Sequence, residues 1–333
     1  MSITNCKELK SLLGRSVRRN YGDALLLSGG LDSSILACIA KPKVSFTVSL
    51  GDNAPDVEYA KRVAAEHSRE HIVVKLTYEK LLEIIEETVK VLRTFNPLEI
   101  RNSSVILAGI KAALDKGCPN IMTGDGGDEL FAGYNYLSRY YADTRALDKE
   151  LRKLWKSMHF SSLYLGKITG LTVKTPFLDR EFLSYAKSIK TVEKIGEYQA
   201  LTWGKFILRK CYESDLGEKI VWRPKLAQEE GAGTTNIRSF ISRKLDHRYF
   251  SLGKENALSE STKIRDKEHL YYYLLYRRYF SSPKDEACNG HPRCPECKGC
   301  FITAGKFCRI CGSFPVKPES EGAPLLDGRR KNK

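Results

Sequence analysis

The chain has 333 residues, enough to bury a large core, and 55 Lys and Arg against 40 Asp and Glu give it a formal net charge of +15, which bears on partners and solubility rather than on fold. No stretch approaches the roughly 20 apolar residues of a membrane span. The first twenty residues lack the apolar core of a signal peptide, so a membrane-spanning role is excluded and a cytoplasmic protein is expected.

Taken in chain order, residues 23–28 (DALLLS) read as a buried strand and 33–40 as a helix. A strand at 44–50 follows, then a helix from Asp56 through His67 with Asp56 as its N-cap, a strand at 71–76, helices at 78–94 and 103–117, and a strand at 120–124. Strands alternating with helices predict an α/β fold with a doubly wound, mainly parallel sheet, whose ligands sit at the carboxyl ends of the strands. Both glycine-rich stretches, after Leu27 and after Met122, fall at such ends. Residues 135–280 read as largely helical, and the aromatic stripe of 264–280 reads as core packing; no internal repeat is visible.

The first glycine turn, SGGLDSS at 28–34, has the makings of a phosphate cradle. Gly29 and Gly30 reach backbone angles closed to other residues, and the helix starting at Asp32, Ser33 or Ser34 points free N–H groups at the same place. The loop lacks the Lys-Ser/Thr ending of a Walker loop and the G-x-G-x-x-G spacing of a dinucleotide site. An acid inside an anion cradle makes sense when a hard cation such as Mg²⁺ screens it from the phosphates. The plain alternative is a Gly-Gly turn capped by Asp or Ser.

SGGLDSS resembles the pyrophosphate loop (PP-loop) of the ATP pyrophosphatase superfamily, whose members cleave ATP between the α and β phosphates to adenylate a substrate. TGDGGDELFAGY (123–134) is similar to the second signature of the asparagine synthetase C-terminal (synthetase) domain, S-G-E-G-x-D-E-x-F-x-G-Y. TPFLDREFL (175–183), the stretch 204–233 and the Tyr-rich helix follow in that family's order, so the resemblance covers about residues 20–280.

The resemblance implies an adenine nucleotide alpha hydrolase-like fold with a helical C-terminal half, ATP and Mg²⁺ as cofactors, and roles by position. Ser28, Gly29, Gly30, Asp32, Ser33 and Ser34 would bind the β and γ phosphates, and Asp32 and Asp128 would hold Mg²⁺. Leu27, Val48 and Gly124 would line the adenine and ribose pocket. Lys225 of WRPK would neutralise charge developing on the phosphates. Asp125 stands where the family has Glu, at a position expected to contact the adenylated intermediate and help deprotonate the amine. Its shorter side chain admits a different or larger acceptor. Gly127, where the family often has Ser, removes a side chain from the pocket. Glutamine-dependent members carry an N-terminal glutaminase domain opening on cysteine; here some twenty residues precede the first strand and residue 2 is Ser2. Nitrogen is therefore expected from free ammonia, from a separate glutaminase subunit, or from an amine within the substrate.

Six of the ten cysteines crowd residues 288–311, and in a reducing compartment that clustering points to metal rather than disulfides. CPECKGCFITAGKFCRICG (294–312) resembles the paired knuckles of a zinc ribbon, with Cys294, Cys297, Cys308 and Cys311 expected to hold a structural Zn²⁺. Cys288, His291 and Cys300 are surplus, and a shifted register through Cys300, a second metal shared with another chain, a disulfide or an iron–sulfur role stay open. Such a module needs its metal to fold and commonly adapts an enzyme to nucleic acid or protein. The expected organisation is an N-terminal extension (1–20), the asparagine synthetase-like ATP pyrophosphatase domain (21–280), the ribbon (288–314) and a disordered tail (315–333). Three readings follow: an AMP-forming amide ligase for aspartate or another small-molecule carboxylate, a tRNA-modifying enzyme whose ribbon binds RNA, and a degenerate nucleotide-binding scaffold.

Overall fold

The apolar runs of the first half build one sheet. In the structure, a computed structural model that describes residues 6–301 and 307–317, the central sheet has five strands: β1 (Ala24–Leu26), β2 (Val44–Leu50), β3 (Glu70–Leu76), β4 (Asn120–Met122) and β5 (Thr172–Lys174). They lie in the order β3-β2-β1-β4-β5 and every pairing is parallel. All seven residues of β2 are buried, so both of its faces are covered. Its hydroxyls find local partners, Thr47 donating to the Leu27 carbonyl at 2.5 Å. After β3 the chain returns past β1 to form β4. The switch point of the sheet therefore lies between β1 and β4, where such folds open a crevice.

Helices α1 (Cys6–Arg19), α2 (Leu31–Ala40), α3 (Pro55–His67), α4 (Tyr78–Leu92) and α5 (Pro97–Asp115) accompany these strands. α5 begins six residues before the expected 103, because the Asn96 side chain accepts from the Leu98 N–H at 3.2 Å and Pro97 fits a first turn. The N-cap assignment for α3 is corrected. Ala54 occupies that position without a side-chain bond, and the Asp56 carboxylate is instead paired with Arg223. β5 lies in a stretch read as helical; three residues are too few to show alternation.

The remainder of the first unit holds α6 (Gly127–Leu130), α7 (Thr144–Ser157), α8 (Ser161–Thr169), α9 (Arg180–Ser188), α10 (Thr191–Lys194), the antiparallel hairpin β6 (Ile195–Tyr198) and β7 (Leu201–Gly204), α11 (Phe206–Leu216), α12 (Glu218–Val221) and α13 (Gln228–Gly231). That unit comprises Met1–Leu92 and Arg101–Ile237, and the second comprises Arg93–Ile100 and Arg238–Lys333. The second unit contains α14 (Ile237–Lys244) beyond its first residue, α15 (His247–Ser259), α16 (Lys267–Tyr279) and the cysteine knuckles. The dividing line thus falls at 237, where the sequence draws one at 280. In this unit Tyr272, Tyr273 and Tyr276 are buried, and Phe95 stacks on His269 and meets Tyr273 and Tyr276 edge-on. The aromatic stripe is core. From residue 318 onward the expected disordered tail lies outside the described residues.

In the first unit, outside the cysteine cluster, Cys6 of α1 and Cys211 of α11 form a disulfide with Cα atoms 5.2 Å apart. It closes a loop of 205 residues, for which loss of unfolded-chain entropy contributes about 5 kcal/mol. Cys6→Ser is expected to lower the melting temperature by on the order of 10 °C in non-reducing buffer and to change nothing once dithiothreitol is present. Circular dichroism melts of both proteins, with and without reductant, check this.

Lys194, ending α10, is fully buried, and its Nζ has no hydrogen-bond partner among the described residues. The ammonium lies over the Trp155 ring at 4.8 Å and the Phe131 ring at 5.9 Å, and burial pulls its pKa down to about 7. In the unfolded chain this lysine titrates near 10.4. Below about pH 7 both states are charged and the full desolvation cost is felt. Between about 7 and 10.4 the unfolded state holds more protons, so stability rises with pH. Lys194→Met is therefore expected to stabilise the protein by on the order of 4 kcal/mol at or below pH 7, an advantage that shrinks to nothing by about pH 10.5. Urea denaturation of both proteins across that range measures the difference; a constant gap would show that the ammonium is not its source.

Candidate active site

The turn after β1 is braced by its own serines. The Ser33 hydroxyl donates to the Gly30 carbonyl at 3.1 Å and accepts from the Ser28 amide at 3.2 Å, while the Gly30 amide donates to the Ser28 hydroxyl at 3.2 Å. Gly29 has a φ of 66°, and a Cβ there would come within 2.5 Å of the Ala60 nitrogen. Only glycine lets the loop lie so close to α3. Gly30 caps α2 without a side-chain bond, so its first-turn N–H groups have no side-chain cap, and Gly30, Leu31, Asp32 and Ser33 line the cavity.

The turn after β4 brings Asp125 and, through α6, Asp128 to the same place. Between Asp32 and Asp128 stands Lys205, whose Nζ is ion-paired with Asp32 Oδ2 and with Asp128 Oδ1 at 2.7 Å. Lys225 Nζ meets the other Asp128 oxygen at 2.8 Å. Burial favours the protonated form of Asp128, but the two ammoniums outweigh it and hold the carboxyl well below its ordinary range. Burial works against the charge of Lys205 as well, yet the two carboxylates keep it protonated. Asp32 is pushed up by burial against the pull of Lys205, and its Oδ1 is buried without a hydrogen-bond partner among the described residues. A Cβ on Gly127 would fall on the Asp32 carboxylate, which explains the glycine there.

Asp125 uses one oxygen, Oδ2, to accept from Thr123 Oγ1 at 2.7 Å and from Ser162 Oγ of α8. Burial raises its pKa, the two hydroxyls offset part of that rise, and Asp32 and Asp128 add to it. These groups surround a cavity of about 200 Å³, with Leu27, Phe46, Val48, Val105 and Ile106 as its apolar wall.

Of the residues singled out by sequence, Leu27, Ser28, Gly30, Asp32, Ser33, Val48, Gly124, Asp125, Asp128 and Lys225 line this cavity. Gly29 lies against α3 instead, and Ser34 is fully buried, so its hydroxyl does not reach the cavity. Lys205, Ser162, Arg223 and the pairing role of Asp56 were not singled out. Lys205 precedes α11 in the left-handed region, with a φ of 55°, and nothing in its sequence neighbourhood marks that.

In the second unit the sulfurs of Cys294, Cys297, Cys308 and Cys311 lie within 4.8 Å of one another and the residues are buried. Cys294 and Cys311 are 3.8 Å apart, Cys297 and Cys308 3.9 Å. A tetrahedron with metal–sulfur distances of about 2.3 Å has edges of about 3.8 Å, so the four fit one thiolate-bound ion. Arg265 buttresses one knuckle, donating to the Cys311 carbonyl at 2.8 Å and to Ser313 Oγ at 3.1 Å. Cys288 and Cys300 are joined in a disulfide, which settles two of the surplus ligands and closes the register through Cys300. His291 is exposed. Among the described residues no helix is long and apolar enough to cross a membrane.

A family model described as asparagine synthase matches residues 8–167 and 165–282. Asparagine synthetase [glutamine-hydrolyzing] of Gallus gallus is 28% identical over 278 residues, covering 77% of this chain and 48% of that protein. Asparagine synthetase B of Escherichia coli is 28% identical over 259 residues, covering 70% and 46%. A probable asparagine synthetase of Dictyostelium discoideum is 30% identical over 243 residues, covering 64% and 43%. The chain spans about half the length of the curated relatives it matches. Among solved structures, the U34-tRNA thiolase NcsA from Methanococcus maripaludis aligns over 92% of this chain and 85% of its own at 15% identity, with a TM-score of 0.30, a likeness too low to carry an argument.

Proposed function

The chain belongs to the asparagine synthase family, and on that premise we propose that it is an AMP-forming, ATP-dependent amide ligase. It would activate a carboxylate as an acyl-adenylate and transfer the acyl group to ammonia or another amine. The observation that carries this reading is the meeting of the 28–34 loop with Asp32, Asp128, Lys205 and Lys225 at the ends of two neighbouring strands. Loop amides there can donate to phosphates, and two lysines sit ready to share a polyanion's charge.

ATP would lie with its base and ribose against Leu27, Val48 and Gly124 and its β and γ phosphates over the loop. Asp32 and Asp128 would hold Mg²⁺; hard carboxylate oxygens suit that ion, and the unpartnered Asp32 Oδ1 is one such donor. Bound there, the ion supplies charge neutralisation on the departing phosphates. A carboxylate oxygen of the substrate attacks the α phosphorus, the bond to the bridging α–β oxygen breaks, and pyrophosphate leaves with its charge balanced by Lys205 and Lys225. In the second half the amine nitrogen attacks the acyl carbon and the bond to the AMP oxygen breaks. The ammonium proton passes to Asp125, which burial makes a stronger base than an exposed carboxylate. Thr123 and Ser162 hold that side chain through one oxygen and leave the other for the amine.

Aspartate is the first acceptor to test, and the short Asp125 side chain leaves room for a larger one. A separate glutaminase subunit would be one source of ammonia. In the second unit Cys294, Cys297, Cys308 and Cys311 would hold structural Zn²⁺, and the knuckles would offer a contact for protein or tRNA. ATP–pyrophosphate exchange screened over amino acids and total tRNA tests the reading, with AMP and pyrophosphate the products expected in the presence of Mg²⁺ and ammonium. Release of ADP and phosphate would overturn it, and exchange driven by tRNA alone would move the acceptor to a nucleoside.

A further inference from the structure

One buried ion pair at the cavity takes no part in the chemistry above. Arg223 sends Nη2 to Asp56 Oδ1 at 2.6 Å and donates through Nη1 to the Ser28 carbonyl at 3.0 Å. Its guanidinium lies 4.1 Å from the centre of the Tyr59 ring. The two side chains are 6% and 9% exposed. Three segments distant in sequence meet here: the first turn of α3, the loop after β1, and the stretch that leads through Pro224 to Lys225.

The backbone around the pair has no slack. The loop at Gly29 rests on Tyr59 and Ala60, and a Cβ on Gly231 would fall on the Asp56 carboxylate. As a stabiliser such a pair is poor, because taking both charges out of water cancels most of their attraction; apolar residues of similar size often serve a fold as well. An apolar pair cannot, however, grip the Ser28 carbonyl. Because the peptide unit is planar, fixing that carbonyl fixes the Gly29 N–H with it and sets the course of the loop into α2. Arg223 is also two residues from Lys225, so the same grip anchors the strand of chain that carries that ammonium.

We propose that Arg223, held by Asp56, is a positioning residue for the nucleotide phosphates: it fixes the Ser28–Gly29 peptide and, through the adjoining backbone, the placement of Lys225. The inference rests on the reading of this cavity as an ATP site, so nucleotide binding is measured apart from turnover. MgATP affinity by isothermal titration calorimetry and melting by circular dichroism are compared for the full chain, Arg223→Met, Arg223→Lys and the double variant D56L/R223M.

Arg223→Met is expected to weaken MgATP by about 10- to 100-fold, the scale of an ångström-sized misplacement, and to lower the melting temperature by stranding Asp56. D56L/R223M should regain the melting temperature to within a few degrees while MgATP stays weak. Arg223→Lys keeps a charge opposite Asp56 but lacks the planar fork that reaches Ser28 as well, so it too should recover stability and not affinity. Wild-type affinity in D56L/R223M would overturn the positioning role and leave the pair structural; if the double variant does not fold, wild-type affinity in Arg223→Lys overturns it equally. An unmutated protein that binds no MgATP would bring down the ATP reading, and this proposal with it.

Discussion

Asp32→Asn is expected to cut ATP–pyrophosphate exchange by at least about a hundredfold while the melting temperature holds. Asn keeps the shape of the side chain and leaves Lys205 paired with Asp128. It also removes a carboxylate that burial already disfavours in its charged form, so the fold loses nothing of weight. What goes is one of the two carboxylates that line the cavity with the 28–34 loop. Lys205→Met should behave differently. It leaves two buried acids with only Lys225 to share, through Asp128 alone, and removing one member of such a cluster costs about 3–5 kcal/mol. Exchange should vanish and the protein should melt earlier. Mg²⁺ added without nucleotide should restore more melting temperature to this variant than to the parent, since the freed carboxylates are the groups a hard cation prefers. Thermal shifts with and without Mg²⁺, run beside the exchange assay, decide the matter. An Asp32→Asn protein with undiminished exchange would show that this carboxylate does not serve the phosphates.

These two variants also mark where the sequence is readable and where it stops. The β1 turn was legible because two glycines, an acid and serines interrupt an apolar run, a pattern with few physical uses. The β4 turn is legible because three glycines and three acids follow an apolar strand, and the spacing of Cys294, Cys297, Cys308 and Cys311 suggests a four-thiolate set whose alternative register through Cys300 only the Cys288–Cys300 disulfide closes. Lys205 was not. It is one lysine among the 55 basic residues, and its importance comes from a left-handed backbone angle and a placement 173 residues from Asp32. Asp56 was misread because an acid at the start of a helix has a sufficient local explanation in capping. The tertiary partner, Arg223, lies 167 residues away and leaves no local trace. Asn96-Pro97 was a readable start signal for α5 that the stronger apolar periodicity of 103–117 masked. The line at 237 is hidden because it falls at the first residue of α14, inside a stretch that reads as largely helical on both sides.

If the four-cysteine cluster holds the proposed Zn²⁺, removing that ion is expected to unfold the second unit and leave the first standing. The segment 94–96 is held in part by that cluster's surroundings: the Phe95 amide donates to the Ile310 carbonyl at 2.9 Å, and Thr94 Oγ1 donates to the Arg309 carbonyl at 2.7 Å. Both acceptors lie within the second knuckle, between Cys308 and Cys311. The Cys288–Cys300 disulfide closes a loop of only 12 residues, which contributes about 3 kcal/mol. A thiolate-bound zinc ion would contribute about 10–16 kcal/mol at pH 7, so on the proposed reading its binding decides whether the knuckles fold. Hydrogen exchange read by mass spectrometry on the full chain, before and after a zinc chelator, follows both units at once. Peptides spanning 94–96 and the two knuckles should lose their protection, while β2, with every residue buried, keeps its own. Cys297→Ser should reproduce the pattern without chelator, and acidification should do so as well, because protonated thiols release the metal. If protection at 94–96 survives in metal-free protein, the Phe95, Tyr273 and Tyr276 cluster with the disulfide holds this unit together, and the cysteines need another explanation.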